Sequence, residues 1–238
     1  MSMSTVNPPA LDDVIYPDSD GEPMAENFHQ SIVIRMLVYG FERLFAGRTD
    51  MIVGGDFFWY PVQGEPKIVV AADAMVIVGV ERPLDILTVG SYRQWQQGGH
   101  PALAVEVLSP SNTYSEMTRK RLFYDEHGVD EYWVFEPRDG TLEVWVRDAG
   151  RLIEVRNPAA GWVSPTTGVH VCVEGADLTV HDPNGTRRWM TSAEEGARIT
   201  AETARADAES ARADAESARA DALQARLDEL ESAQARNS

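Results

Sequence analysis

The chain has 238 residues, 43% hydrophobic and 25% charged, which is enough to bury one sizeable core plus an appendage and excludes a disordered or fibrous protein. Its formal charge of −17 at pH 7 opposes general attraction to phosphate backbones, and residues 1–189 alone still hold 15 Lys and Arg against 27 Asp and Glu. Any nucleic-acid contact must rest on a local basic patch or on bound cations.

The N-terminus MSMSTVNPPALDD has neither the basic region nor the apolar run of a signal peptide. No stretch approaches the roughly 20 apolar residues of a bilayer span, so a soluble, cytoplasmic protein with no membrane attachment is expected. Residues 1–25, rich in Pro, Asp and Gly, read as a loose arm or short hairpin. From Glu26 to Ala46 the apolar positions Ile32, Val33, Met36, Leu37, Phe41, Leu44 and Phe45 recur in steps that predict an amphipathic helix ended by Gly47. Then the period changes. MIVGGDFFWYPV and KIVVAADAMVIVGV, rich in β-branched and aromatic residues, predict two strands joined by the turn QGEP. The run PALAVEVL, Pro101 to Leu108, predicts a strand covered on both faces.

After the turn SPSN, Thr113 to His127 predicts a helix stopped by Gly128. EYWVFEP, the turn Arg138 to Gly140, and TLEVWVRD predict a hairpin, with shorter strands around Leu152–Val155, Val169–Val173 and Leu178–His181. The order of elements predicts an α/β domain with a mixed sheet over residues 26–190. The single cysteine, Cys172, in the alternation VHVCV, reads as a small core residue, and the histidines show no zinc-ligand spacing.

Residues 191–238 differ in kind. ARADAES at Ala204–Ser210 repeats at Ala211–Ser217 and continues as ARADALQ. Ala204, Ala208, Ala211, Ala215, Ala218, Ala222 and Ala225 alternate steps of four and three, a heptad seam that stays aligned only if helices supercoil. Arg205 with Glu209, and Arg212 with Glu216, could pair along it. Two readings remain: a solvated single helix, or a coiled-coil-like tail that adds to dimerisation.

The chemistry centres on Glu106. An ionised carboxylate at the end of a buried strand is costly unless a partner or a cation compensates it. Asp73 interrupts VVAADAMVIV in the same way, and adjacent strands could bring the two acids together. Two such oxygen ligands can hold Mg²⁺, with Mn²⁺ an alternative, as a site for phosphodiester chemistry. Glu116, Lys120, Tyr124 and His127 share one face of the following helix, and Lys120 could approach the ion and its water.

VVAADAMVIVGV, PALAVEVLSPSN, the helix with Lys120 and Tyr124, and GVDEYWVFEP together resemble the Uma two family of putative restriction endonucleases, within the PD-(D/E)XK nuclease superfamily. The resemblance spans about residues 16–190 and extends to the Ala-, Arg- and Glu-rich tail. It implies a restriction-endonuclease-like core, a mixed sheet flanked by helices, and Mg²⁺-dependent cleavage of DNA. Asp73 matches the acid of "PD", whose proline is here Ala72, and Glu106 matches the acid of "(D/E)XK". The lysine two residues on is replaced by Leu108, and the resemblance moves that role to Lys120. Glu116 stands where relatives often carry Asp. The resemblance also implies the carbonyl of Val107 as a further metal ligand, while Glu26 and His29 are candidates for an outer acid and a phosphate contact.

Plainer roles stand beside these. Lys120 could pair with Glu116 on a solvated face, Tyr124 could be a core edge, and His127 could cap the helix end as a cation. Ser109 and Ser111 lack nucleophile-elbow spacing and read as turn caps. Trp59, Trp133 and Trp145 read as core or interface residues. The leading expectation is a metal-dependent endodeoxyribonuclease, working as a homodimer. The alternative is a non-catalytic interaction module that keeps the nuclease fold and assembles through its tail, and the site would also serve RNA or a small phosphodiester.

Overall fold

The computed structural model describes residues 14–18, 27–82 and 90–236, and divides into two compact units, Met1–Thr191 and Ser192–Ser238. The arm expected over residues 1–25 lies outside the described residues except at 14–18. Helix α1 (Phe28–Leu44) starts two residues later than the apolar period suggests, because the Asn27 side chain accepts from the Gln30 amide at 2.9 Å and fixes the N-cap there. Its buried face holds Val33, Ile34, Leu37 and Phe41. Gly40 lies on that face because a Cβ there would collide with the Trp189 indole.

The strands follow as β1 (Met51–Gly54), β2 (Phe58–Tyr60), β3 (Ala74–Val80), β4 (Ser91–Arg93), β5 (Gly98–Val107), β6 (Glu131–Glu136), β7 (Thr141–Asp148), β8 (Arg151–Glu154), β9 (Trp162–Val163), β10 (His170–Glu174) and β11 (Asp177–His181). A four-residue helix, α2 (Gln94–Gln97), precedes β5, and α3 (Tyr114–Glu126) connects β5 to β6. The main sheet has the order β1-β3-β5-β6-β7-β8, with β5 and β6 parallel and every other pair antiparallel. A parallel pair requires a crossover, and α3 is that crossover. The sheet is therefore mixed, with helices against it.

Alternation along the strands gives the sheet two apolar faces. Ala74, Val76, Leu103, Val105, Trp133 and Phe135 pack toward α1, toward Val171 and Val180 of the three-stranded sheet β9–β11 and toward Val169 just before it. Met75, Ile77, Ala104, Tyr132 and Val134 pack on the opposite face with Tyr124 of α3 and with Trp59 and Tyr92 of the two-stranded sheet β2–β4. Strand β5 is buried on both sides, as its continuous apolar run requires.

Two expected strands break. MIVGGDFFWYPV divides into β1 and β2 at Gly55 and Asp56, because a Cβ at Gly55 would strike the Asp73 carbonyl and Asp56 takes a φ of 57°. The second begins only at Ala74, since Ala72 gives its carbonyl to the Asp56 amide at 2.9 Å and Val70 makes a single bridge to Trp59. Strands β4 and β9 and helix α2 are too short to show a period, and Cys172 is half-buried rather than in the core. Among the described residues no helix is long and apolar enough to cross a membrane.

The second unit contains α4 (Ser192–Arg236). Arg198 pairs with Glu195 and Glu202, while the expected Arg205–Glu209 and Arg212–Glu216 pairs stay open. Arg preceding Glu is the weaker order for an exposed pair at this spacing.

Candidate active site

The register Ala74↔Val105, extended by one residue, sets Asp73 beside Glu106 on the α3 side of the sheet. Both lie at one edge, where β3 starts and β5 ends. Helix α3 is anchored over them at both ends. At its start Thr113 and Glu116 form a reciprocal capping box. At its end the Arg147 guanidinium donates to the carbonyls of Tyr124, Asp125, Val129 and Gly150 at 2.8 to 3.2 Å. That anchoring carries Lys120 and Tyr124 to Glu106.

Glu106 is 2% exposed. Its Oε2 accepts from Lys120 Nζ at 2.8 Å and its Oε1 accepts from the Tyr124 hydroxyl at 2.7 Å. Lys120 also donates to the Ala71 carbonyl at 3.3 Å. Asp73 Oδ2 accepts the backbone N–H of Val107 at 2.6 Å, so the two acids are joined through one peptide unit. The Tyr124 ring lies parallel to Trp59 at 6.5 Å and tilted against Tyr132 at 4.9 Å, which fixes the hydroxyl.

Burial, followed by the charge of Glu106, pushes the Asp73 carboxyl up to about 7, against the opposing pull of the Val107 N–H and Lys120. Burial alone would lower the Lys120 pKa, but attraction and hydrogen bonding to Glu106, with Asp73 and Glu116 adding to them, raise it overall. The amine is therefore a cation at neutral pH. Burial and Glu106 hold the Tyr124 hydroxyl protonated, so it acts as a donor. Two carboxyls thus share one ammonium, and the remaining negative charge calls for a proton on Asp73 or a further cation.

The other expected residues divide. Glu116 serves the capping box, its carboxylate accepting from the Thr113 amide and the Asn112 side chain, and reaches Lys120 only through its charge. Lys120 pairs with Glu106 instead of Glu116. His29 is exposed in the first turn of α1, and Glu26 lies outside the described residues. His127 corrects its expected role: its ring packs on Phe123 and Trp59, and burial lowers its pKa, so the C-cap position does not make it a cation. Ser109 closes the turn as expected, its amide donating to Asn112 Oδ1 at 2.8 Å.

One residue was missed. Gln30 donates from Nε2 to the Val107 carbonyl at 2.8 Å, the carbonyl expected to face a metal. Its signal in the sequence is a polar residue on the buried stripe of α1.

Among the described residues, no three His, Cys, Asp or Glu side chains converge as a metal cage. Asp73 and Glu106 nevertheless form a hard-oxygen pair beside a backbone carbonyl, with one ammonium, Lys120, bonded to Glu106. Mg²⁺ needs no fuller protein set, because it binds through one or two carboxylates and keeps water or phosphate in its other positions.

No curated protein matches the chain. Solved structures that it resembles include the "Crystal structure of a putative nuclease belonging to DUF820 from Anabaena variabilis ATCC 29413", at 16% identity and a TM-score of 0.43 over 66% of this chain and 90% of that one. Residues 11–180 match the family Uma2, described as "Putative restriction endonuclease". That match covers most of the sequence, and the chain belongs to this family.

Proposed function

We propose that the chain hydrolyses DNA phosphodiester bonds with a divalent cation, Mg²⁺ or Mn²⁺, held by Asp73, Glu106 and the Val107 carbonyl. The observation that carries the reading is the meeting of two sheet-edge acids with one helix amine at Glu106. A bound divalent ion supplies Lewis-acid polarisation of the phosphate and lowers the pKa of its water. The protein's own groups do the rest. Lys120, cationic and anchored to Glu106 and Ala71, neutralises charge that develops on the phosphate or orients the attacking water. Tyr124 holds the Glu106 carboxylate in one orientation from below. Gln30 holds the Val107 carbonyl and must share or release it when that oxygen turns to a cation.

Incubating the purified chain with supercoiled and linear DNA in Mg²⁺ or Mn²⁺ tests this. Cleavage is expected in the wild type and abolished in Asp73→Ala, whose circular dichroism should remain that of the folded protein. A wild type that cuts no DNA with either ion sinks the reading.

A second reading, a non-catalytic interaction module, draws support from the charge of −17 and from the engagement of both Glu106 oxygens and the Val107 carbonyl by protein donors. It predicts a chain that binds neither divalent ions nor DNA. Under the nuclease reading, a homodimer suits cleavage of both strands of a duplex, since a two-fold axis relates two sites as it relates the strands. The heptad seam of α4 is the surface proposed to assemble it.

A further inference from the structure

Helix α3 has a second side. Away from Asp73, between α3 and the strands β6–β8, lies a cleft of ≈ 650 Å³, a size that suits a small-molecule ligand. Its floor is aromatic: Tyr132 and Trp145 stack at 5.3 Å with ring planes 24° apart, and the Arg121 guanidinium lies 5.8 Å over Trp145. Around that floor some polar groups lack complements, while Glu136 and Arg138 pair with each other. The Tyr132 hydroxyl is buried without a hydrogen-bond partner. Among the described residues, Arg121, Glu143 and Glu154 have no side-chain hydrogen bond or ion pair, and Glu143 and Glu154 repel each other. Buried polar groups are normally paired, so the open Tyr132 hydroxyl marks the floor of the cleft as a place for a ligand, with Arg121 half-buried and Glu143 and Glu154 exposed around it.

The chemistry narrows the class of ligand. An anionic group is disfavoured, because three carboxylates, Glu136, Glu143 and Glu154, line the cleft against two guanidiniums, one of which, Arg138, is already paired with Glu136. A flat neutral ring with an acceptor edge for Arg121 and a donor edge for one carboxylate pairs with two of these open groups, and its faces suit the aromatic floor. Among nucleobases, guanine carries both edges, its O6 and N7 accepting and its N1 and N2 groups donating. The cleft is lined at one end by Leu108, which directly follows the strand that carries Glu106, and by Asn112 in the turn before α3.

We propose that this cleft is a nucleobase pocket that takes an unpaired guanine, with Arg121 on its acceptor edge and Glu143 on its donor edge. The proposal rests on the nuclease reading for the source of the base, a nucleic-acid strand that leaves its phosphates outside at the α3 edge. Drawing a base out of a stack is costly, and a pocket that closes its hydrogen bonds offsets that cost.

Calorimetric titration of Asp73→Asn protein with 2′-deoxyguanosine, 2′-deoxyinosine and thymidine tests it without turnover. Deoxyguanosine is expected to bind, deoxyinosine about tenfold more weakly because it lacks the amino group, and thymidine more weakly still. Adding Glu143→Gln should erase the guanine-over-inosine preference, and adding Arg121→Met should weaken both purines. Failure of every nucleoside to bind at millimolar concentration overturns the proposal. So does a preference unchanged by Glu143→Gln, or binding of an oligo-arginine peptide where nucleosides do not bind. The two readings fail separately: nucleoside binding with no DNA cleavage by the wild type removes the nuclease, and cleavage with no nucleoside binding removes the pocket.

Discussion

At the scale of residues, Asp73 carries the tension of the site. Its folded pKa of about 7 stands above the ordinary 3.8, so the folded state favours the protonated acid over the ionised one. The sign follows: in metal-free buffer the Asp73 contribution weakens as pH rises from about 4 to about 7, and its full cost is felt above 7. Asp73→Asn keeps an acceptor for the Val107 N–H and removes the charge. Scanning calorimetry without divalent ions should find this variant on the order of 2–4 °C more stable than wild type at pH 8, equivalent to about 1 kcal/mol in a domain of this size, and equal to it at pH 4. A wild type that is the more stable protein at pH 8 would show that Asp73 is compensated by groups other than those described. Asp73, Glu106, Lys120 and Tyr124 were legible in the sequence, because acids inside apolar strands and a helix face spaced by fours are local patterns. Gln30 was not, since its partner Val107 lies 77 residues away and only the fold brings them together. His127 takes the helix-end position that the sequence indicates, but the packing of Phe123 and Trp59, which no local pattern shows, favours the neutral ring over the cation.

At the scale of elements, α3 is the part on which the site depends, because it is both the crossover between the parallel strands and the carrier of Lys120 and Tyr124. Arg147 on β7 donates to the carbonyls of Tyr124, Asp125 and Val129 around its C-terminus and to that of Gly150 in the β7–β8 turn. Arg147→Met is expected to cost about 1.5–3 kcal/mol in urea denaturation, the range for hydrogen bonds from a charged donor, and to weaken divalent binding as Tyr124 loses its fixed position. Unchanged stability and unchanged binding would mean that α3 is held by its apolar face alone. Long elements were readable: α1, β5, α3 and the β6–β7 hairpin follow their periods to within a few residues. The break between β1 and β2 was not, because Gly55 is set by contact with the Asp73 backbone and not by neighbouring residues. The guanine pocket escaped notice for the same reason, since Arg121, Tyr132, Glu143 and Glu154 come from four elements.

At the scale of the whole molecule, a charge of −17 makes long-range attraction to DNA unfavourable, so any DNA binding must be short-ranged and dependent on cations. The alanine heptads of α4 bury little area per contact, and association through them should be weak and concentration-dependent. Light scattering across a tenfold or greater range of concentration is expected to show a monomer–dimer equilibrium, and a monomer throughout would remove the dimer from the proposal. The central claim is that Asp73 and Glu106 share one divalent ion. Calorimetric titration of Mn²⁺ into wild type and Glu106→Gln at pH 8 tests it most directly. One ion per chain is expected in the wild type, with affinity that falls as pH drops below about 7, and no binding in the variant. Equal Mn²⁺ binding by both proteins, or none by the wild type, would contradict it.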